Sequence, residues 1–151
     1  MFVKDVMTSN PETCLAAQSC ASAGQIMIRR NCGFVPIIDS PISRRVIGVV
    51  TDRDILTHLV QTGEPADSLP VKACMTSPVK TVDAGADLMD AVELMEKAAV
   101  QRLPIVENGR LVGVLSLKDI ALVARKEWAS SGPHRVEHRL TDIIEAIAAS
   151  R

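Results

Sequence analysis

A segment at the start of the chain returns about 68 residues later, and this recurrence limits the possible folds more than any other feature: Val3-Lys4-Asp5-Val6-Met7-Thr8-Ser9-Asn10-Pro11 reappears as Val71-Lys72-Ala73-Cys74-Met75-Thr76-Ser77-Pro78. Val35-Pro36-Ile37-Ile38-Asp39 reappears as Leu103-Pro104-Ile105-Val106-Glu107. Val46-Ile47-Gly48-Val49-Val50-Thr51-Asp52-Arg53-Asp54-Ile55 then reappears as Leu111-Val112-Gly113-Val114-Leu115-Ser116-Leu117-Lys118-Asp119-Ile120. Matched blocks in one order define a tandem repeat. With 151 residues to share, neither copy is large enough to bury a generous core alone.

Both copies follow one pattern. After the Met-Thr turn comes a short extended piece around Thr13 or Thr81, then an amphipathic helix, whose second copy places Leu88, Ala91, Val92, Met95 and Ala99 on one stripe. Two β-branched runs follow as antiparallel strands. Asn108-Gly109 signals a tight hairpin in the second copy, and a longer loop containing Pro41 replaces it in the first. A second helix closes each unit; in the first copy Ile55, Leu56, Leu59 and Val60 form its stripe, with Gly63 and Pro65 as stops. The expected fold is mixed α/β (α+β), two β-α-β-β-α repeats packed face to face, followed by a C-terminal helix. The boundaries read as repeat 1 over 1–63, a linker over 64–70, repeat 2 over 71–125 and a helical tail over 126–151. In the tail, beyond Gly132-Pro133, Val136, Leu140, Ile143, Ile144 and Ile147 recur at helical spacing with no partner evident, so a second subunit is the expected cover, with folding back onto its own chain across the short Gly132-Pro133 connection as the alternative.

Seventeen basic and eighteen acidic residues leave a net charge of -1, so the chain has no bulk field to hold nucleic acid or an anionic membrane. Any anion site must be local. Tyr is absent, Phe occurs twice and Trp once, which removes the aromatic platforms used for base stacking. The N-terminus lacks a basic start followed by an apolar run, so neither a signal peptide nor a membrane span is expected. Cysteines at 14, 20, 32 and 74 form no CxxC pair and read as reduced, mostly core-filling thiols of a cytoplasmic protein. His134 and His138 share a helix face but lack further ligands nearby, so no metal site is expected.

Together the blocks Met7-Thr8, Val35-Pro36-Ile37-Ile38 and Gly48-Val49-Val50-Thr51-Asp52-Arg53-Asp54, with their second copies Met75-Thr76-Ser77-Pro78, Arg102-Leu103-Pro104-Ile105-Val106 and Gly113-Val114-Leu115-Ser116-Leu117-Lys118-Asp119, strongly resemble the tandem cystathionine-β-synthase (CBS) domain family over residues 1 to about 125. The resemblance implies a pseudo-twofold pair with clefts between the repeats. Such clefts typically bind AMP, ADP, ATP or S-adenosylmethionine as regulatory ligands, and no cofactor is required. It also implies a regulator, often a homodimer, that signals to a partner protein whose identity the residues do not disclose. The chain carries no recognisable catalytic or transport segment, so it reads as a stand-alone regulator.

The residues themselves support a site. A strand ending at Thr51 and a helix starting at Asp52 bring the Thr51 hydroxyl and the Asp54 carboxylate together. A carboxylate accepts two hydrogen bonds at once, which suits paired ribose hydroxyls. Free amides at the helix start, with Arg53, suit a phosphate; Ser116, Lys118 and Asp119 offer the equivalent groups in the second copy. On this count repeat 1 holds the better site. Arg102 matches a position where some family members place a basic residue for phosphate, and Phe34 stands there in the first copy. Val35-Pro36 and Leu103-Pro104 offer a base an apolar wall, and Thr13 and Thr81 complete the candidate ligand-binding set.

Simpler roles exist for these residues. Thr51-x-x-Asp54 and Ser116-x-x-Asp119 fit helix caps, Arg102 fits a solvated surface, and the Val-Pro and Leu-Pro pairs fit ordinary strand packing. The competing function is a structural or oligomerisation module with no ligand. Catalysis is not expected, since nucleophile elbow, P-loop and metal cluster are all missing and His58 reads as a helix-surface residue.

Overall fold

The computed structural model describes residues 1–131, 141–146 and 149. In chain order the first repeat forms a 3-10 turn (Val3–Asp5), β1 (Thr8–Ser9), β2 (Cys14–Leu15), α1 (Cys20–Arg30), β3 (Phe34–Ile38), β4 (Val46–Thr51) and α2 (Asp52–Thr62). The second forms a 3-10 turn (Val71–Ala73), β5 (Val82–Asp83), α3 (Leu88–Ala98), β6 (Arg102–Glu107), β7 (Arg110–Ser116) and α4 (Leu117–Ser131). A short helix over 141–146 follows. The fold is the expected α+β arrangement, with two sheets covered by helices. No described helix is long and apolar enough to cross a membrane.

In space the chain divides into two compact units that are not its two halves. One, here the proximal unit, contains Pro11–Val79 and Gly109–Leu111; the distal unit contains Met1–Asn10, Lys80–Asn108 and the chain from Val112. Each repeat therefore sends its opening Met-Thr segment into the unit built by the other.

The proximal sheet runs β2-β3-β4, with β2 parallel to β3 and β3 antiparallel to β4. Alternate strand residues and the apolar stripe of α1 meet in a core that includes Ile26, Met27, Val35, Ile37, Val50 and Ile55. The incoming segment adds a backbone pair to β4: the Val49 N–H donates to the Thr76 carbonyl at 3.0 Å, and the Thr76 N–H donates back at 2.8 Å. Gly48 makes this approach possible. A Cβ there would stand 2.8 Å from Met75 Sδ and 2.9 Å from the Thr76 carbonyl oxygen. The stretch read as a linker is also held, because the Cys20 N–H donates to the Leu69 carbonyl at 2.7 Å and the Ala21 N–H to the Ala66 carbonyl at 3.0 Å.

The distal sheet runs β1-β7-β6-β5. Its β1 is the chain's own start, antiparallel to β7, with Thr8 opposite Val114 and Ser9 opposite Gly113. Gly113 repeats the role of Gly48, since a Cβ there would lie 3.0 Å from the Thr8 carbonyl oxygen and against Met7 Sδ. Val3 of the opening turn joins Leu88, Ala91, Val92, Met95, Leu103, Ile105 and Leu115 in the core. Asn108 and Gly109, with φ of 50° and 75°, make the expected tight hairpin.

Three expectations change. On α2, Ile55 is buried and Leu59 half-buried, but Leu56 and Val60 are 63% and 75% exposed: at about 100° per residue they lie roughly a quarter-turn from the buried pair. On α3 the helix stops at Ala98, and Ala99 turns left-handed (φ 52°) as its C-cap rather than extending the stripe. In the tail, Ile143 is fully buried in the distal core, so at this residue the alternative of cover by its own chain holds over cover by a second subunit, while Ile144 remains exposed. Val136, Leu140 and Ile147, like His134 and His138, lie outside the described residues.

The two glycine environments generate a test. Gly48→Ala should cost about 1–3 kcal/mol, because the atoms it meets include backbone fixed by the strand pair. Gly24→Ala, with nothing within 4 Å in the interior of α1, should instead stabilise by about 0.5–1 kcal/mol. Urea midpoints of the two variants should move in opposite directions.

Candidate functional site

The junction between β4 and α2 is assembled by strand register. Pairing of β3 with β4 sets Phe34 opposite Thr51 and Pro36 opposite Val49. The Asp52 N–H, first in α2, donates to the Gly33 carbonyl at 3.1 Å, pinning the helix start to the beginning of β3. Thr51 is extended and caps the helix: its Oγ1 accepts from the Asp54 N–H at 3.1 Å, and Asp54 Oδ2 accepts from the Thr51 N–H at 3.0 Å. This is the reciprocal capping box anticipated as the simpler role. The expectation of free amides here is corrected. Asp52 Oδ1 accepts from the Arg53 N–H at 2.9 Å, so the first three helical amides are all committed within the chain. A phosphate at this end would meet the exposed Arg53 guanidinium instead.

The β7-to-α4 junction repeats the design with different chemistry. The Leu117 N–H donates to the Gln101 carbonyl at 2.9 Å, and the Asp119 N–H to Ser116 Oγ at 3.2 Å. Asp119 Oδ2 accepts from both the Ser116 N–H at 2.8 Å and the Ser116 hydroxyl at 2.7 Å. Leu117 stands where α2 has Asp52, so no carboxylate covers the next amide, and the Lys118 N–H takes part in none of these bonds. The Lys118 side chain is exposed, and Arg102, at the first position of β6, is half-buried.

In both boxes one carboxylate oxygen serves the cap and the other, Oδ1, joins neither cap bond. Capping and ligand recognition can therefore use different oxygens of one side chain. The Val35 and Leu103 side chains are 0% and 2% exposed and belong to the two cores, so in this structure they pack as strand residues and do not present an open wall; Pro36 and Pro104 are also buried. Thr13 is half-buried immediately before β2, and Thr81 is exposed immediately before β5. Among the described residues no group of three or more His, Cys, Asp or Glu is placed to hold a metal ion. His58, expected on the surface, is half-buried.

Two neighbours of the first box come from the second repeat and were not anticipated: Thr76, paired with Val49 two residues before Thr51, and Cys74. Burial first, then a hydrogen bond with Cys20, then the nearby charge of Asp54 push the Cys74 thiol up to about 12. The only signal in the sequence was the position of Cys74 directly before Met75-Thr76.

The profile of the CBS domain matches residues 3–61 and again 71–126. The CBS domain-containing protein YhcV of Bacillus subtilis is 30% identical over 138 residues, covering 91% of this chain and 96% of that protein. Among solved structures, the CBS domain pair of MJ0100 in complex with 5'-methylthioadenosine and S-adenosyl-L-methionine superposes with a TM-score of 0.72 at 26% identity, covering 82% of this chain and 98% of the other. CBSX2 in complex with AMP gives 0.68 at 25% identity, covering 83% and 96%.

The boxes should be measurable as caps. Thr51→Ala and Ser116→Ala should each lower unfolding free energy by about 1 kcal/mol. Thr57→Ala, exposed within α2, should change it by less than about 0.5 kcal/mol in the same urea titrations.

Proposed function

The chain belongs to the CBS domain family, and we propose that it is a regulatory module that binds an adenosine-containing nucleotide and passes its occupancy to a partner protein through a conformational shift. The observation that carries this reading is the duplicated box. At two helix starts a Ser or Thr and an Asp cap one another while Asp Oδ1 stays outside the cap, a ready acceptor for ribose hydroxyls. The adenosine ligands of the MJ0100 pair and of CBSX2 support the ligand class.

The two boxes differ in what they offer a phosphate. Arg102, Lys118 and the Lys118 N–H gather at the distal junction, whereas Phe34 replaces Arg102 at the proximal one and Asp52 occupies the Arg53 amide. This reverses the ranking expected from side-chain types alone, and the distal box becomes the stronger site for a phosphate-bearing ligand. Thermal unfolding with AMP, ADP, ATP, S-adenosylmethionine and NAD checks both points. A ligand at about 100 times its Kd should add roughly 2.7 kcal/mol, or about 5–10 °C, with Asp119→Ala losing more of the AMP shift than Asp54→Ala. No shift with any of the five would end the nucleotide reading, and the opposite order of the variants would end the ranking.

Leu56 and Val60 favour a second element of the proposal, a homodimer that covers this apolar face of α2. Light scattering should give twice the chain mass. Val60→Glu, which puts a charge on a position exposed in the single chain, should return the monomer mass while the chain still unfolds in one cooperative transition; a monomeric parent protein would remove the dimer.

A further inference from the structure

All four cysteines lie in the proximal unit, and three of them, Cys14, Cys20 and Cys74, are near neighbours there. Cys20 opens α1, Cys74 closes the 3-10 turn Val71–Ala73, and their sulfurs stand 3.4 Å apart although 54 residues separate them in the chain. Backbone pairing, not side-chain reach, brings them together. Ser19 bridges Pro70, the Cys20 N–H donates to the Leu69 carbonyl at 2.7 Å, and the Val71 N–H donates to the Gln18 carbonyl at 2.8 Å, so the segments carrying the two thiols lie against each other. Cys74 is fixed in turn by its own N–H, which donates to the Val71 carbonyl at 3.0 Å. A disulfide asks the sulfurs to close to about 2.05 Å, a movement of roughly 1.4 Å. Cys20 is 1% exposed and Cys74 half-buried, so one member of the pair is reachable from solvent and the other is held behind it.

We propose that Cys20 and Cys74 are a reversible dithiol–disulfide pair, oxidised by a low-molecular-weight disulfide, that clamps the opening segment of the second repeat to the start of α1. The Cys74 thiolate attacks one sulfur of the small disulfide, forming a mixed disulfide and releasing the first small thiolate. The Cys20 thiolate then attacks Cys74 Sγ, the protein disulfide forms, and the second small thiolate leaves. Both cysteines are oxidised, the small disulfide is reduced to two thiols, and those thiols take up the two protons the cysteines lose. Met75 and Thr76, which pair with β4, follow directly on the clamped residue, so the redox state acts on the segment that the second repeat contributes to the proximal unit.

The surroundings set the speed. Cys74 faces Cys20 of α1 and the Asp54 carboxylate of α2, while Cys14 of β2 lies beside Cys20 with Glu12 near it. All of these disfavour the thiolate, which is scarce at neutral pH. Exchange is therefore slow, responds to sustained oxidant, and quickens by about tenfold per pH unit on the alkaline side of neutrality.

The experiment is thiol counting on the full chain incubated with excess oxidised glutathione at pH 8.5, followed by denaturation. The expected result is a fall from four titratable thiols to two, an intact mass lower by two hydrogens with no glutathione adduct, monomer-sized mobility, and full reversal by dithiothreitol. The oxidised form should melt about 5 °C or more above the reduced form. Cys14→Ser should still form the bond, and Cys74→Ser should not. Cys14 and Cys20 share the tryptic peptide 5–29, so fragmentation between them assigns the partner of peptide 73–80 in the parent protein even where a variant folds poorly. Four persisting thiols, a stable glutathione adduct on Cys74, or a bond that maps to Cys14 or Cys32 would each overturn the proposal.

Discussion

The pairing of a Met-Thr segment with the glycine-bearing strand of the opposite repeat organises both compact units. At Gly48 and Gly113 the missing Cβ lets a carbonyl approach within a distance that any side chain would forbid, and the strand pairs at Val49–Thr76 and Thr8–Val114 follow from that approach. A repeat of some sixty residues has too little interior to be comfortable alone. By exchanging opening segments the two repeats extend each other's sheets, and Val3 and Val71 enter cores made largely by the other copy. The distal sheet takes β1 from the first repeat, and β4 of the proximal sheet takes the Thr76 backbone pair from the second, so each compact unit contains chain from both repeats.

The same economy governs the helix starts. Backbone amides at the head of a helix must find acceptors, and a Ser or Thr with an Asp three residues on supplies them reciprocally. Because a carboxylate has two oxygens, the cap uses Oδ2 and leaves Oδ1 outside the cap bonds. One difference between the two boxes lies at the first helical position: Asp52 turns its carboxylate onto the following amide, and Leu117 cannot. A change of a single side chain class thus alters how much positive potential each helix start presents.

The cysteines show how packing converts an unremarkable composition into a local arrangement. Nothing in the spacing of 14, 20, 32 and 74 suggests a pair, since a chain separation of 54 residues carries no geometric information of its own. The contact exists because the stretch around Leu69–Val71 lies along residues 18–20, and burial, with Cys20 and Asp54 nearby, then pushes the pKa of the Cys74 thiol up.

Local chemistry was readable without coordinates. The repeat, its β-α-β-β-α order, the stripe Leu88-Ala91-Val92-Met95, the Asn108-Gly109 hairpin, the Gly63 stop and the two Ser/Thr-Asp boxes all depend on contacts a few residues apart, where spacing alone sets the geometry. What spacing could not supply was anything decided by distant partners. Ile55 and Leu56 are equally apolar, yet only packing chose which would be buried; Asp52 filled an amide that side-chain counting left open; Ile143 found its cover in the distal core. The sequence determined which groups the chain carries and the local elements that hold them. Tertiary structure decided which repeat completes which sheet, because that choice rests on a close backbone approach between segments far apart in the chain, and no local pattern records it.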